Sequence, residues 1–191
     1  MAHPHIALIG KARSGKDTVA TVLTRHAAYT RLAFADELKR AVLRVDPFVP
    51  LQFSQMPVRL SVAVRRFGWE TAKEAFPEIR RLLQEYGQTV RETDPEFWVR
   101  PVQAKVRQGT RWNMPCVVAD VRYGNELAAL QDEGAVVVRV TRPGSGLAGD
   151  AGDHESETEL DGVQPDYVLR NGGTLAQLRA RVRDLYESLG G

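Results

Sequence analysis

Between Gly10 and Thr18 the chain reads GKARSGKDT, with two glycines five residues apart and a lysine directly behind the second. Glycine tolerates positive φ and lets the backbone approach an anion closely, so consecutive N–H groups can wrap a phosphate. Lys16 is then placed to reach the β- and γ-phosphates of a nucleoside triphosphate. This GxxxxGK pattern is a phosphate-binding loop (P-loop). It makes Gly10, Lys11, Ala12, Arg13, Ser14, Gly15, Lys16, Asp17 and Thr18 the candidate ATP-binding residues. The position after the lysine usually carries Ser or Thr, whose hydroxyl binds Mg²⁺; here it is Asp17. A carboxylate there can hold Mg²⁺ directly or through water, or it can cap the following helix. Both readings stay open.

A second constellation, Asp120-Val121-Arg122, follows the apolar stretch CVVA (Cys116–Ala119). An aspartate there can orient Mg²⁺ or its water shell, or cap the strand end, and an arginine two residues on can fork onto an anionic substrate. No NKxD or switch-like DxxG follows the P-loop, as a GTPase would require, and no strand ends in the Asp-Glu of a remodelling ATPase. A small kinase fits better.

The elements that must hold these residues can be read from apolar runs and breakers. HIALI (His5–Ile9) reads as a buried strand running into the P-loop, and Thr18–His26 as the helix behind it. That strand–loop–helix context is what a P-loop needs. A short strand is expected at Arg31–Ala33 and a helix from Asp36 to about Arg44, before Pro47, Pro50 and Pro57 break the chain into a loop. Helix is expected over Val58–Gln108, interrupted near Gly68, Pro77 and Gly87, with Asp94-Pro95 as a helix start. Strands at Cys116–Ala119, Ala135–Val140 and Tyr167–Arg170 alternate with helices at Asn125–Glu133 and from Thr174 to Leu189. Pro143–Asp153, PGSGLAGDAGD, has no apolar periodicity and reads as a mobile loop.

This alternation predicts an α/β fold, a three-layer P-loop architecture. A mostly parallel sheet of about five strands carries helices on both faces. The expected organisation is one domain with a core of 1–46 and 114–191, a helical insert over about 47–113 and a short lid over about 142–157. Ligands should bind beyond the C-terminal ends of the strands.

Composition narrows the class. At 43% hydrophobic and 26% charged, the 191 residues can fill a core and keep a soluble surface. One cysteine, Cys116, excludes a disulfide framework, and the histidines lack metal-ligand spacing. A formal charge of +2 gives no argument for nucleic acid. Arg59, Arg65 and Arg66 with Phe67 and Trp69 form a small basic cluster, but no nucleic-acid-binding motif accompanies it. The expectation is no nucleic acid, no membrane, and the cytoplasm. Whether the chain forms a homodimer stays open.

In order along the chain, GKARSGKDT, FADELK (Phe34–Lys39), LLQEYG and DPEFWVR (Leu82–Arg100), VADVRYGNE (Val118–Glu126), VTRPG (Val140–Gly144) and the final strand with NGG resemble bacteriophage deoxynucleoside monophosphate kinases. The resemblance runs over nearly the whole chain. It implies an adenylate-kinase-like fold with a substrate-binding helical insert and a lid. It also implies transfer of the ATP γ-phosphoryl group, with Mg²⁺, to a deoxynucleoside 5′-monophosphate, in a host cytoplasm if the source is a phage. Animal-type phosphomevalonate kinases share the GKxxSGKD loop and an acidic segment like Glu155-Ser156-Glu157. They supply the alternative, a phosphotransferase acting on a non-nucleotide phosphate.

Such chemistry rests on alignment and charge stabilisation, since the acceptor oxygen is already anionic. On the donor side the candidates are Lys16 and Arg13, with Arg142 opening the lid. For the acceptor phosphate they are Arg122 first, then Lys39, Arg81 and Arg91. Arg81 and Arg91 fit a solvated helix face equally well. Trp98 can stack on a base or lie in a core, and Gln84 is assigned to the base edge by resemblance only. Asp17 and Asp120 are the candidate Mg²⁺ ligands. From Pro143 to Asp153 there is no arginine, unlike the lids of many adenylate-kinase-like enzymes.

Overall fold

Buried strands read as unbroken apolar runs, and β1 (Ile6–Ile9) is one: all four of its side chains are buried. The computed structural model describes residues 3–51, 54–146 and 158–190. Behind β1 come α1 (Lys16–His26), β2 (Thr30–Leu32) and α2 (Phe34–Val45). A hairpin of β3 (Phe48–Leu51) and β4 (Ser54–Arg59) leads to α3 (Leu60–Ala75), α4 (Pro77–Thr93) and α5 (Val99–Arg111). The chain then forms β5 (Cys116–Val118), α6 (Gly124–Asp132), β6 (Val136–Thr141), β7 (Tyr167–Arg170) and α7 (Leu175–Gly190).

Two compact units result: Met1–Phe34 with Val99–Gly191, and Ala35–Trp98. Their boundaries differ from the expected insert at both ends, because α2 groups with the second unit and α5 with the first. The first unit holds a five-stranded sheet in the order β2-β5-β1-β6-β7. Every pair in it is parallel, with Ile6 opposite both Val117 and Val136. Alternation along β1 splits its side chains between two cores. Ile6 and Leu8 pack with Val19 and Leu23 of α1 and Leu178, Val182 and Leu185 of α7. Ala7 and Ile9 pack with Val99, Val102 and Val106 of α5 and Leu127 and Leu130 of α6. The fold is therefore the three-layer α/β arrangement. No helix among the described residues is long and apolar enough to cross a membrane.

The second unit packs around Val42, Val49, Leu60, Ala72, Phe76, Ile79 and Leu83. Here three local expectations are corrected. The proline-rich stretch is a hairpin rather than a loop, with Phe48 opposite Arg59. A two-stranded ribbon has only edges, and edge strands accept proline. Gly87 does not interrupt a helix, since α4 runs through it. A Cβ there would come within 3.0 Å of Leu38, so this glycine admits a close neighbour. Asp94 closes α4 instead of starting a helix at Pro95, and its Oδ1 accepts the Glu96 N–H at 3.2 Å before α5 begins at Val99.

Candidate active site

Parallel strands all end at one edge of the sheet, and that topology collects the site of the first unit. The P-loop leaves β1 there, Asp120-Val121-Arg122 leaves β5, Arg142 leaves β6 and Asn171 leaves β7. Residues remote in sequence thus emerge side by side at the C-terminal edge, where ligands of open α/β sheets bind.

The loop itself has the backbone that close anion approach requires. Gly10 and Gly15 sit at φ 134° and 108°, and Arg13 takes a left-handed φ of 63°. A side chain at Gly10 would collide with the Val140 carbonyl, and a Cβ at Gly15 would lie 2.5 Å from Asn171 Nδ2. Lys16 folds back on its own loop, donating to the carbonyls of Gly10 at 2.5 Å and Lys11 at 2.9 Å. Those contacts hold the ammonium over the loop. Lys11 pairs with Asp161 at 2.6 Å. Ser14 is buried and Arg13 exposed, while Ala12 receives the Gly146 N–H at 2.8 Å.

Asp17 makes no capping bond: α1 starts from Gly15 in the left-handed region without a side-chain cap. Its exposed carboxylate lies 3.3 Å from the Arg31 guanidinium, and Thr18 behind it is half-buried. Asp120 is half-buried, and its Oδ1 accepts the Phe34 N–H at 2.8 Å. Arg122 is exposed beside it. The backbone of this element is ordered by a residue the sequence reading gave no role: Glu126, 2% exposed, accepts the N–H groups of Arg122 at 2.9 Å and Tyr123 at 3.3 Å. Glutamate three residues into a helix reaching back to its start was the available signal. Asn171 likewise carried no assigned role, standing only within the NGG after the final strand. Arg142 is exposed at the end of β6, and its carbonyl closes a turn with the Ser145 N–H at 3.1 Å. Residues 147–157, most of the expected lid, lie outside the described residues.

In the second unit the candidates divide. Lys39 is largely covered, 3.8 Å from Asp36 and 5.7 Å from the centre of the Trp69 ring. Gln84 is exposed on α4, and Arg91 is half-buried in its last turn. Arg81 is engaged along its own helix by Glu78 and by Glu85 at 2.6 Å, which raises its pKa further and is the pattern of a solvated helix face. Trp98 is 3% exposed, donates its indole N–H to the Gly87 carbonyl at 3.2 Å, and packs edge-on against Phe97 and tilted against Tyr86. It is a core residue. A ring so enclosed presents no open face to a base, and stacking by Trp98 is withdrawn.

His5, one of the histidines without metal-ligand spacing, is a buried structural residue. Its Nδ1 accepts the Cys116 N–H at 2.9 Å, which leaves Nε2 to bond the Thr110 hydroxyl at 2.8 Å. Burial lowers its pKa, partly offset by Glu133. Among the described residues no group of three or more His, Cys, Asp or Glu is assembled for a metal.

Comparison with known proteins follows the same line. Residues 51–182 match the family model described as deoxynucleotide monophosphate kinase. Over 187 residues, 93% of each chain, the sequence is 26% identical to a protein of Acanthamoeba polyphaga mimivirus provisionally named a deoxynucleotide monophosphate kinase. Among solved structures, a dephospho-CoA kinase from Campylobacter jejuni is similar at TM-score 0.56 and 10% identity, over 99% of this chain and 98% of that one. A shikimate kinase from Aquifex aeolicus VF5 is similar at TM-score 0.50 and 16% identity, over 98% and 99%. At such identities these two speak to the fold alone.

Proposed function

The chain belongs to the deoxynucleotide monophosphate kinase family, and from that membership we propose that it transfers the γ-phosphoryl group of ATP to a deoxynucleoside 5′-monophosphate, giving ADP and the deoxynucleoside diphosphate. The family match does not favour the non-nucleotide acceptor. The observation that carries the site is the loop geometry: positive φ at Gly10, Arg13 and Gly15, with Lys16 drawn over the loop.

The acceptor phosphate oxygen is the nucleophile and the ADP β-phosphate oxygen the leaving group, so no general base is needed. Two polyanions must be brought together, and fixed positive groups do most of that. Backbone N–H groups of the loop and Lys16 hold the β- and γ-phosphates, and Lys16 stabilises charge moving to the bridging oxygen. Arg13 and Arg142 add positive charge on the donor side. In the first unit Arg122, held by a backbone ordered on Glu126, is the group we assign to the acceptor phosphate; Lys39, Arg91 and Gln84 are the candidates that the second unit offers by itself. Single carboxylates, with no cage assembled among the described residues, suit an ion that keeps its waters and binds mainly through substrate phosphates. Asp17 and Asp120 would hold Mg²⁺ in that manner, and the ion would neutralise phosphate charge. We place the reaction in the cytoplasm, where its substrates are found.

A coupled ADP-release assay tests this reading across the four deoxynucleoside monophosphates, their ribose counterparts and phosphomevalonate. At least one deoxynucleotide should stimulate ADP release well above the rest. Stimulation by phosphomevalonate alone would overturn the proposed acceptor.

A further inference from the structure

Asn171 follows the last strand of the sheet, 157 residues beyond the loop it touches, and only 8% of it is exposed. Its backbone N–H is fixed to the Thr141 carbonyl at 2.6 Å, at the end of β6. Its side-chain Nδ2 donates to the Ser14 carbonyl at 2.8 Å. Ser14 is itself 1% exposed, and its hydroxyl has no hydrogen-bond partner among the described residues, so the side chain does not supply the anchor. We propose that Asn171 is a positioning residue for the donor site, in which its buried amide sets the orientation of the Ser14–Gly15 peptide and thereby aims a loop N–H at the ATP phosphates.

A trans peptide is planar, and its C=O and N–H point in opposite directions. With the Ser14 oxygen held by Asn171, the N–H of Gly15 is turned to the other side of the same plane. Gly15 sits at φ 108°, where glycine alone is at ease, and such a residue offers little resistance to a flip of the preceding peptide. Without the amide, the loop could turn a carbonyl toward an anion it has to bind. The close approach of Asn171 Nδ2 to Gly15 shows how tightly the two are fitted: a Cβ there would stand 2.5 Å away. At the other end of the loop the close neighbour is a different one, the Val140 carbonyl, which a Cβ at Gly10 would strike. Asn171 therefore acts on the Ser14–Gly15 end and on the donor, through Ser14, without touching the reacting atoms.

The inference rests on the reading of residues 10–18 as the ATP site. Its test uses the full chain as wild type, Asn171→Ala, Asn171→Asp, Asn171→Ser and, as a control of core packing alone, Leu185→Ala on α7. Calorimetric titration with a non-hydrolysable ATP analogue gives the donor Kd, steady-state kinetics give both Michaelis constants, and melting gives stability. In the Asn171 variants the analogue Kd and the ATP KM should rise about tenfold, most in Asn171→Asp, where an acceptor faces the Ser14 carbonyl. The acceptor KM should stay within about twofold, and Leu185→Ala should melt lower with its analogue Kd within about twofold of wild type. Folded Asn171 variants with unchanged analogue Kd would overturn the proposal. So would a Leu185→Ala Kd raised as much as theirs, or failure of all three Asn171 variants to fold, which would make the residue purely structural. A wild type that does not bind the analogue would instead sink the reading of the loop as the ATP site.

Discussion

The two units handle charge in different ways. In the first, the binding loop is made of backbone fitted closely to its neighbours: an added Cβ would strike the Val140 carbonyl at Gly10 and the Asn171 amide at Gly15. In the second, several cations ride on long side chains along helix faces and are met by carboxylates one turn away, Arg40 by Glu37, Lys73 by Glu70 and Arg81 by Glu78 and Glu85. Anion binding by rigid dipoles needs no reorganisation when the ligand arrives, whereas a paired surface arginine must leave its partner first. The lesson is that a cation is a credible ligand when something fixes it, as the loop carbonyls fix Lys16, and less so when its nearest neighbours already neutralise it.

That contrast can be broken most directly at Lys16. Lys16→Ala should cut turnover by at least about a hundredfold while the protein stays folded, the scale seen when one preorganised charge-stabilising group is lost. Near-normal turnover in a folded variant would end the role assigned to the loop. Next in size is Arg122→Ala. Losing a charge-assisted fork to the acceptor phosphate costs roughly 1.5–3 kcal/mol, read as a raised acceptor KM with ATP affinity preserved. If ATP affinity suffers alone, Arg122 belongs with the donor.

Trp98→Phe probes the second unit. It keeps most of the buried ring but deletes the bond to the Gly87 carbonyl, so stability should fall by about 1 kcal/mol with the acceptor KM unchanged. A large rise in that KM without loss of stability would restore the base-stacking role.

A smaller effect should come from pH, through His5. Its folded pKa lies below the unfolded value of about 6.5, so the unfolded chain takes up the proton first on acidification. Stability should be full above that value and fall as the pH drops through it toward the lower folded pKa. Melting temperatures over this range should show the slope in wild type and a flatter one in His5→Gln. The smallest effect belongs to Arg81→Ala, for which exposed intrahelical pairs predict an acceptor KM within about twofold of wild type. A rise of tenfold would show that a paired surface arginine can be recruited after all and would undo the contrast between the units.

How far the sequence could be read follows the same division. β1, α1, β5, α6, β6, β7 and α7 were legible within a residue or two at most of their ends, because buried parallel strands are short apolar runs and the helices between them carry clear stops such as Gly134. The P-loop was legible because its chemistry is local: strand, glycines, lysine and helix are contiguous. Between Pro47 and Gln108 the signals conflicted, since proline can mark a loop or an edge strand and glycine a break or a close contact. Hence the hairpin at Phe48–Arg59 was missed, and the run of α4 through Gly87.

What the linear sequence determined by itself was the identity of the phosphate loop, the alternation that makes a parallel sheet, and the family to which both belong. Tertiary structure alone decided which residues become neighbours of those local motifs. It brought Asn171 onto the Ser14 carbonyl, Asp161 onto Lys11 and the His5 imidazole between Cys116 and Thr110, each across more than a hundred residues. It also settled that Trp98 faces a core. The reason is one of range: φ preferences and apolar periodicity act over a few residues, while a hydrogen bond between distant segments exists only once packing has placed both partners.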